Sequence, residues 1–78
     1  MLIYGVNSIV NTDNAALKVS YTSEGYGAIY AWVGSPKPIM LAEYNCEEVA
    51  SMALEAIWTD LVAGKPYHEI DLDYTRGD

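Results

Sequence analysis

Basic residues are scarce in this 78-residue chain, which has four lysines and arginines against 11 aspartates and glutamates. The net charge is −7, and the bases are scattered: Lys18, Lys37, Lys65 and Arg76. Binding DNA or RNA directly needs clustered positive charge that replaces the counterions of the phosphates, so the composition argues against it. An acidic surface suits solubility, a basic protein partner or mimicry of a nucleic acid, and composition does not choose among these.

Cysteine is nearly absent as well, since Cys46 is the single one in the sequence. An intrachain disulfide and a cysteine-based zinc site are therefore excluded. The length predicts a single domain, 1–78, and a domain of this size buries only about 60% of its unfolded surface. Because such a core is marginal, we expect a homo-oligomer to supply further stability.

Long apolar runs are also missing. No segment approaches the roughly 18 consecutive apolar residues of a membrane span. The opening stretch, 1–5, lacks a basic region and is too short for a signal peptide. We therefore expect a soluble, cytoplasmic protein with no membrane partner.

Aromatic residues are abundant, although phenylalanine is absent: the chain has seven tyrosines and two tryptophans. Tyrosine and tryptophan combine apolar area with a polar group and are enriched at binding surfaces. Tyr26, Tyr30 and Trp32 lie on or beside one predicted hairpin. They are the best binding candidates, although core packing explains Tyr30 and Trp32 equally well.

One helix has clear sequence signals. Asn45 is a good N-cap, and Glu48 three residues later completes a pattern like a capping box. Apolar residues then recur at helical spacing and form one stripe: Val49, Ala50, Ala53, Leu54, Ile57 and Leu61. Gly64 and Pro66 end the helix.

Alternating residues predict strands on both sides of this helix, near 17–22, 28–33, 39–44 and 67–74, with a short strand starting at 2. The expected fold is α+β: a small antiparallel sheet in β-β-β-β-α-β order, with the helix packed on one face. The other face carries Tyr30 and Trp32, with Tyr44 as a third candidate. Residues 75–78 are predicted to form a frayed tail.

Two features invite a catalytic interpretation. Cys46 lies in the first helical turn, where the helix dipole favours a reactive thiolate. However, the two glutamates that follow disfavour a thiolate, and His68 is the single histidine. A lone histidine without clustered carboxylates is more often structural than a base or metal ligand. We therefore predict no catalytic residue, no metal site, no cofactor and no enzymatic activity.

An acidic row follows the helix. Glu69, Asp71 and Asp73 alternate with apolar residues, so a strand would place them on one face. Their side-by-side spacing does not converge on a metal ion. The simpler interpretation is a solvated edge whose charges prevent aggregation, and the alternative is a ridge that imitates spaced phosphates.

Several short motifs resemble a family of small uncharacterised proteins of bacteriophages and Gram-positive bacteria. They are Ile9-Val10-Asn11-x-Asp13-Asn14, Leu41-x-Glu43-Tyr44, Glu47-Glu48-x-Ala50, Leu54-x-x-Ile57 and Gly64-Lys65-Pro66-Tyr67. The chain departs from the pattern at Ala42, where the family usually has glycine, and it lacks the final Met-Pro. The resemblance implies an α+β fold and a phage or mobile-element origin, and it supplies no catalytic residues.

A phage origin favours two kinds of binding protein that inhibit host defence from the host cytoplasm. In the first, a homo-oligomer sequesters a nucleotide-like signal, which stacks on aromatic rings and whose phosphates meet basic residues. The residues for this site are Tyr26, Tyr30, Trp32, Lys18, Lys65 and Arg76. In the second, an acidic protein similar to anti-CRISPR inhibitors occupies the nucleic-acid-binding surface of a basic defence protein, through Glu69, Asp71 and Asp73.

Overall fold

The computed structural model describes residues 1–76, which form six strands and one long helix. The strands are β1 (Leu2–Tyr4), β2 (Ile9–Asn11), β3 (Ala16–Tyr21), β4 (Gly27–Trp32), β5 (Ile39–Tyr44) and β6 (Tyr67–Glu69), and the helix is α1 (Glu47–Val62). Short 3₁₀ helices follow β2 and β6, at Thr12–Asn14 and Leu72–Tyr74.

The predicted α+β class is confirmed, with the strands divided between two sheets. β3, β4 and β5 form an antiparallel meander, while β2, β1 and β6 form a second sheet in which β1 and β6 are parallel. The two sheets meet where β1 ends, because the Val6 N–H donates to the Leu41 carbonyl at 2.8 Å. The strands form two sheets because β1 pairs with β2 on one side and with the distant β6 on the other, and not with the meander.

Helix α1 packs on one face of the meander and on β6. Its buried residues are Ala50 and Ile57, which lie in the same core as Ile29 and Leu41 of the sheet. The end of the predicted apolar stripe is more open, since Leu61 is 40% exposed. The core therefore lies under the first three turns of the helix.

The predicted N-cap at Asn45 is wrong by one residue. Cys46 is the N-cap, in an extended conformation, and its side chain makes no capping hydrogen bond. A close approach explains the shift: a Cβ on Gly27 would lie 2.5 Å from the Cys46 carbonyl oxygen. The chain leaving β5 is thus pressed against the start of β4, and the helix begins only beyond it.

The predicted helix end at Gly64 is confirmed. Gly64 has φ of +76°, its N–H donates to the Leu61 carbonyl, and the Lys65 N–H donates to the Asp60 carbonyl. These two hydrogen bonds form a Schellman motif, which needs a residue with positive φ at this position.

The C-terminal strand is shorter than predicted and ends at Glu69. Asp71 Oδ1 accepts the Asp73 N–H at 3.0 Å, which turns the chain into a 3₁₀ helix. The Arg76 N–H donates to the Glu43 carbonyl at 2.7 Å, so residue 76 is attached to β5, and the frayed tail at 75–78 stays a prediction. Residues 77–78 lie outside the described part.

Candidate functional site

The face of the meander opposite α1 gathers most of the predicted site residues, and we call it the aromatic face. Leu17 and Val19 line a groove with the helix residue Leu54, so their side of the sheet faces α1. Side chains alternate along a strand, so Lys18 of β3 and Tyr30 of β4 point to the opposite side. These two residues are direct cross-strand partners.

Two aromatic side chains stand next to each other on this face. The ring centroids of Tyr30 and Trp32 are 6.2 Å apart, and the planes are tilted by 52°. Both side chains are half-buried, whereas Lys18 across the strand is exposed. Partial burial restricts the rings while leaving area for contact, which is what a stacking platform needs.

Arg76 joins the aromatic face from the C-terminal segment. Its guanidinium carbon lies 3.5 Å from the centre of the Tyr26 ring, and its Nη1 donates to Glu43 Oε1 at 2.7 Å. Glu43 is the cross-strand partner of Ala28, which places the carboxylate on the same face. The positive charge of Arg76 is therefore matched by Glu43, and Arg76 links the Tyr26 ring to Glu43 of β5.

Lys65 is the predicted site residue that the structure places elsewhere. It lies just beyond α1, where its Nζ is 3.2 Å from Asp60 Oδ1. Nδ1 of His68 is 2.6 Å from the other oxygen of the same carboxylate. These two contacts hold the pKa of the Asp60 carboxyl below its usual value, and the hydrogen bond with His68 has the larger effect. The three residues join the end of the helix to β6.

Glu69, Asp71 and Asp73 do not form the row along one strand face that their alternation predicts. Glu69 is the last residue of β6, whereas Asp71 and Asp73 lie in the turn and 3₁₀ helix that follow. Because the strand alternation stops at Glu69, the three carboxylates do not share one strand face. Within residues 1–76, no cluster of three or more His, Cys, Asp or Glu side chains is arranged to hold a metal ion.

Tyr44 is not on the aromatic face. It pairs with Gly27 and points towards the helix, where its side chain is 1% exposed. Its hydroxyl has no hydrogen-bond partner within the described residues, a situation that costs about 1–3 kcal/mol. Burial raises the pKa of the Tyr44 phenol to about 12, and the negative charge of Asp71 adds to the rise.

The sequence does not predict that Tyr44 is buried on the helix side of the sheet. A register shift between Ile29 and Tyr30 leaves Leu41 without a partner on β4, which changes the alternation within β5. Alternation counted from Ile39 and alternation counted back from Tyr44 therefore place the same residue of β5 on opposite faces of the sheet. A buried tyrosine also looks the same in a sequence as an exposed one.

No helix among residues 1–76 is long and apolar enough to cross a membrane. Comparisons with protein-family models, curated proteins and solved structures found no match to this chain.

Proposed function

We propose that the protein is a non-enzymatic binding protein that captures a nucleotide-like ligand on the aromatic face. The observation that carries this proposal is the position of Lys18 directly across from Tyr30, whose ring lies beside that of Trp32. A base stacks on the two rings, and the Lys18 ammonium contacts a phosphate. Stacking of a base on an aromatic side chain contributes about 1–3 kcal/mol by alanine substitution.

The charge of the protein limits the size of this ligand. One exposed lysine suits a molecule with one or two phosphates, while a net charge of −7 repels a long nucleic acid. Arg76 supports the site indirectly, because it holds Tyr26 at one end of the face. The proposed ligand is thus a small nucleotide, and neither a cofactor nor a catalytic residue is involved.

The resemblance to bacteriophage proteins supplies a biological setting. In the cytoplasm of an infected host, a protein that lowers the free concentration of a nucleotide signal silences a defence system that depends on the signal. The alternative, an acidic inhibitor similar to anti-CRISPR proteins, requires a row of carboxylates at Glu69, Asp71 and Asp73. The chain turn after Glu69 breaks that row, so the aromatic face is the better-supported site.

Assembly into a homodimer through β3 accompanies this function in our proposal. β3 is an outer strand of its sheet and pairs with β4 over six residues without a bulge. The Thr22 N–H donates to the Tyr26 carbonyl, so every second residue of β3 counted back from Thr22 forms its backbone hydrogen bonds with β4. The residues between them, Leu17, Val19 and Tyr21, direct their backbone N–H and C=O groups away from β4, towards the open edge. β3 has neither a bulge nor a proline, and Lys18 is its single charged residue, so we propose that β3 of a second copy pairs with this edge.

The binding proposal is tested with the full chain against AMP, cyclic di-AMP and ADP-ribose by thermal shift and calorimetry. At least one nucleotide is expected to raise the Tm, and Trp32→Ala is expected to weaken its binding by roughly 5- to 150-fold. Trp58→Ala is the matched control, because Trp58 is 62% exposed on the helix, at the groove beside β3. No binding at millimolar nucleotide, or equal losses in both variants, contradicts the proposal.

The dimer is tested separately by light scattering at tens of micromolar protein. A monomer mass at that concentration contradicts the pairing of β3 but leaves the nucleotide site intact. The same measurement on Val19→Pro, which removes an outward N–H donor from β3, is expected to shift a wild-type dimer towards monomer.

A further inference from the structure

A cavity of about 510 Å³ lies between α1 and the segment that follows β6. Its walls include Val49 and Ala53 of the helix, Ile70 after β6, and Tyr44 of β5. Since Tyr44 faces the helix, the cavity is separated from the aromatic face by the sheet itself. Its volume falls within the range of about 300–1,000 Å³ that small-molecule sites in proteins occupy.

The hydroxyl of Tyr44 is the polar group that distinguishes this cavity from a packing defect. The side chain is 1% exposed, and no atom of residues 1–76 forms a hydrogen bond with Oη. Buried hydroxyl groups in proteins are almost always hydrogen-bonded. Tyr44 is one of the residues that line the cavity, and its Oη is closed to solvent, so a molecule bound there supplies the missing partner once the tyrosine side chain turns towards it.

The charges around the cavity define the kind of molecule. Glu69 and Asp71 line it, and no lysine or arginine does so among the described residues. Asp71 is close enough to Tyr44 for its negative charge to act on the phenol. The ring of His68, also in the wall, is engaged with Asp60. The surroundings therefore favour a cation and disfavour an anion.

We propose that this cavity binds a small hydrophobic amine. The ammonium group lies between the Asp71 carboxylate and the Tyr44 hydroxyl, to which it donates a hydrogen bond. The apolar part of the amine packs against Val49, Ala53 and Ile70. The site is separate from the one for nucleotides, so the protein binds the two ligands without competition.

The probe for this site is tryptamine, with indole-3-propionate as an anion of similar size and shape. Binding to the full chain is followed by NMR chemical shifts and by calorimetry. Tryptamine is expected to bind at least tenfold more tightly than indole-3-propionate. The largest shifts are expected at Ala53 and Ile70, and addition of AMP leaves them unchanged.

Three variants locate the site. Tyr44→Phe removes only the hydroxyl and is expected to weaken tryptamine binding at least fivefold, while Asp71→Asn removes the preference for the amine over the anion. Ala56→Phe adds a ring at an exposed position that lines the cavity, so it blocks entry without opening the core. Tyr21→Phe is the matched control, because it removes a hydroxyl from a tyrosine on β3 that is 64% exposed.

The outcomes separate this proposal from the nucleotide site. Failure of the wild-type chain to bind tryptamine at 1 mM overturns it, as does equal binding of amine and anion. Loss of tryptamine binding in Trp32→Ala, with Tyr44→Phe and Ala56→Phe unaffected, places the amine on the aromatic face and also overturns it. Nucleotide binding is expected to survive in Ala56→Phe, because Ala56 lines the cavity and is not on the aromatic face. Failure of the amine proposal therefore does not count against the nucleotide site.

Discussion

The guanidinium carbon of Arg76 lies over the Tyr26 ring, 3.5 Å from its centre, and so joins the C-terminal segment to the residue before β4. The same side chain forms an ion pair with Glu43, whose side chain is 23% exposed. A cation–π contact, an ion pair and the backbone hydrogen bond to β5 therefore meet at this residue.

Arg76→Ala is expected to lower the free energy of unfolding by about 1 kcal/mol, the typical size of a partly exposed cation–π contact with a supporting ion pair. The measurement is urea unfolding at low and high salt. Lys37→Ala, in the exposed turn before β5, is the control and should have little effect. An Arg76→Ala midpoint equal to wild type shows that the C-terminal segment adds no stability.

The start of α1 offers a gain in stability, because the N-cap residue Cys46 makes no capping hydrogen bond. Cys46→Ser is expected to stabilise the protein by about 0.5–1 kcal/mol, since serine accepts a hydrogen bond at this position. It should also leave nucleotide binding intact. Asn45→Ala is expected to change stability little, because Asn45 precedes the cap. In thermal unfolding, a loss of about 1 kcal/mol from Asn45→Ala, or no gain from Cys46→Ser, contradicts this helix start.

The Asp60 contacts predict a dependence of stability on acid pH. His68 and Lys65 hold the pKa of the Asp60 carboxyl below its usual value of 3.8. The carboxylate therefore stabilises the folded chain above that pH, and this contribution is lost as the pH falls through the lowered pKa. The stability difference between wild type and Asp60→Asn should be largest near neutral pH and shrink below about pH 4. A difference that is constant with pH shows that the ion pairs contribute nothing.

The buried phenol of Tyr44 predicts that the stability of the folded chain also falls at alkaline pH. Its pKa is about 12 in the folded chain against 10 for an ordinary tyrosine, so the unfolded chain ionises first. Stability is fully present below pH 10 and is lost as the pH rises towards 12. Two pKa units correspond to at most about 3 kcal/mol. Tyr44→Phe should lose less stability than wild type between pH 10 and 12, and parallel curves in that window contradict the burial of the phenol.

The parts of the fold that were predictable are those specified by neighbouring residues. Gly64 marks the end of α1 because positive φ is a local requirement, and alternation along β3 and β4 places Lys18 and Tyr30 on the face away from the helix. Both signals are contained within a few residues. The association of Tyr30 with Trp32 follows from the same alternation.

Other parts depend on contacts between distant segments. The N-cap moved to Cys46 because Gly27, in another strand, brings the backbones together. Tyr44 faces the core because a register shift interrupts β5, and Arg76 lies on the sheet because Glu43 binds it. None of these partners is adjacent in sequence, so periodicity alone carries no information about them.

The parallel pairing of β1 with β6 affects how the protein reaches its structure. Leu2 pairs with Tyr67, and Ile3 with His68, so nearly the whole described chain lies between the two halves of this pairing. Contacts between such distant residues form slowly, because the entropy of closing the loop is lost before the contact stabilises anything. The hairpin of β3 and β4 involves near neighbours and forms early. We therefore expect the hairpin, which carries Lys18, Tyr30 and Trp32, to form before the second sheet is completed.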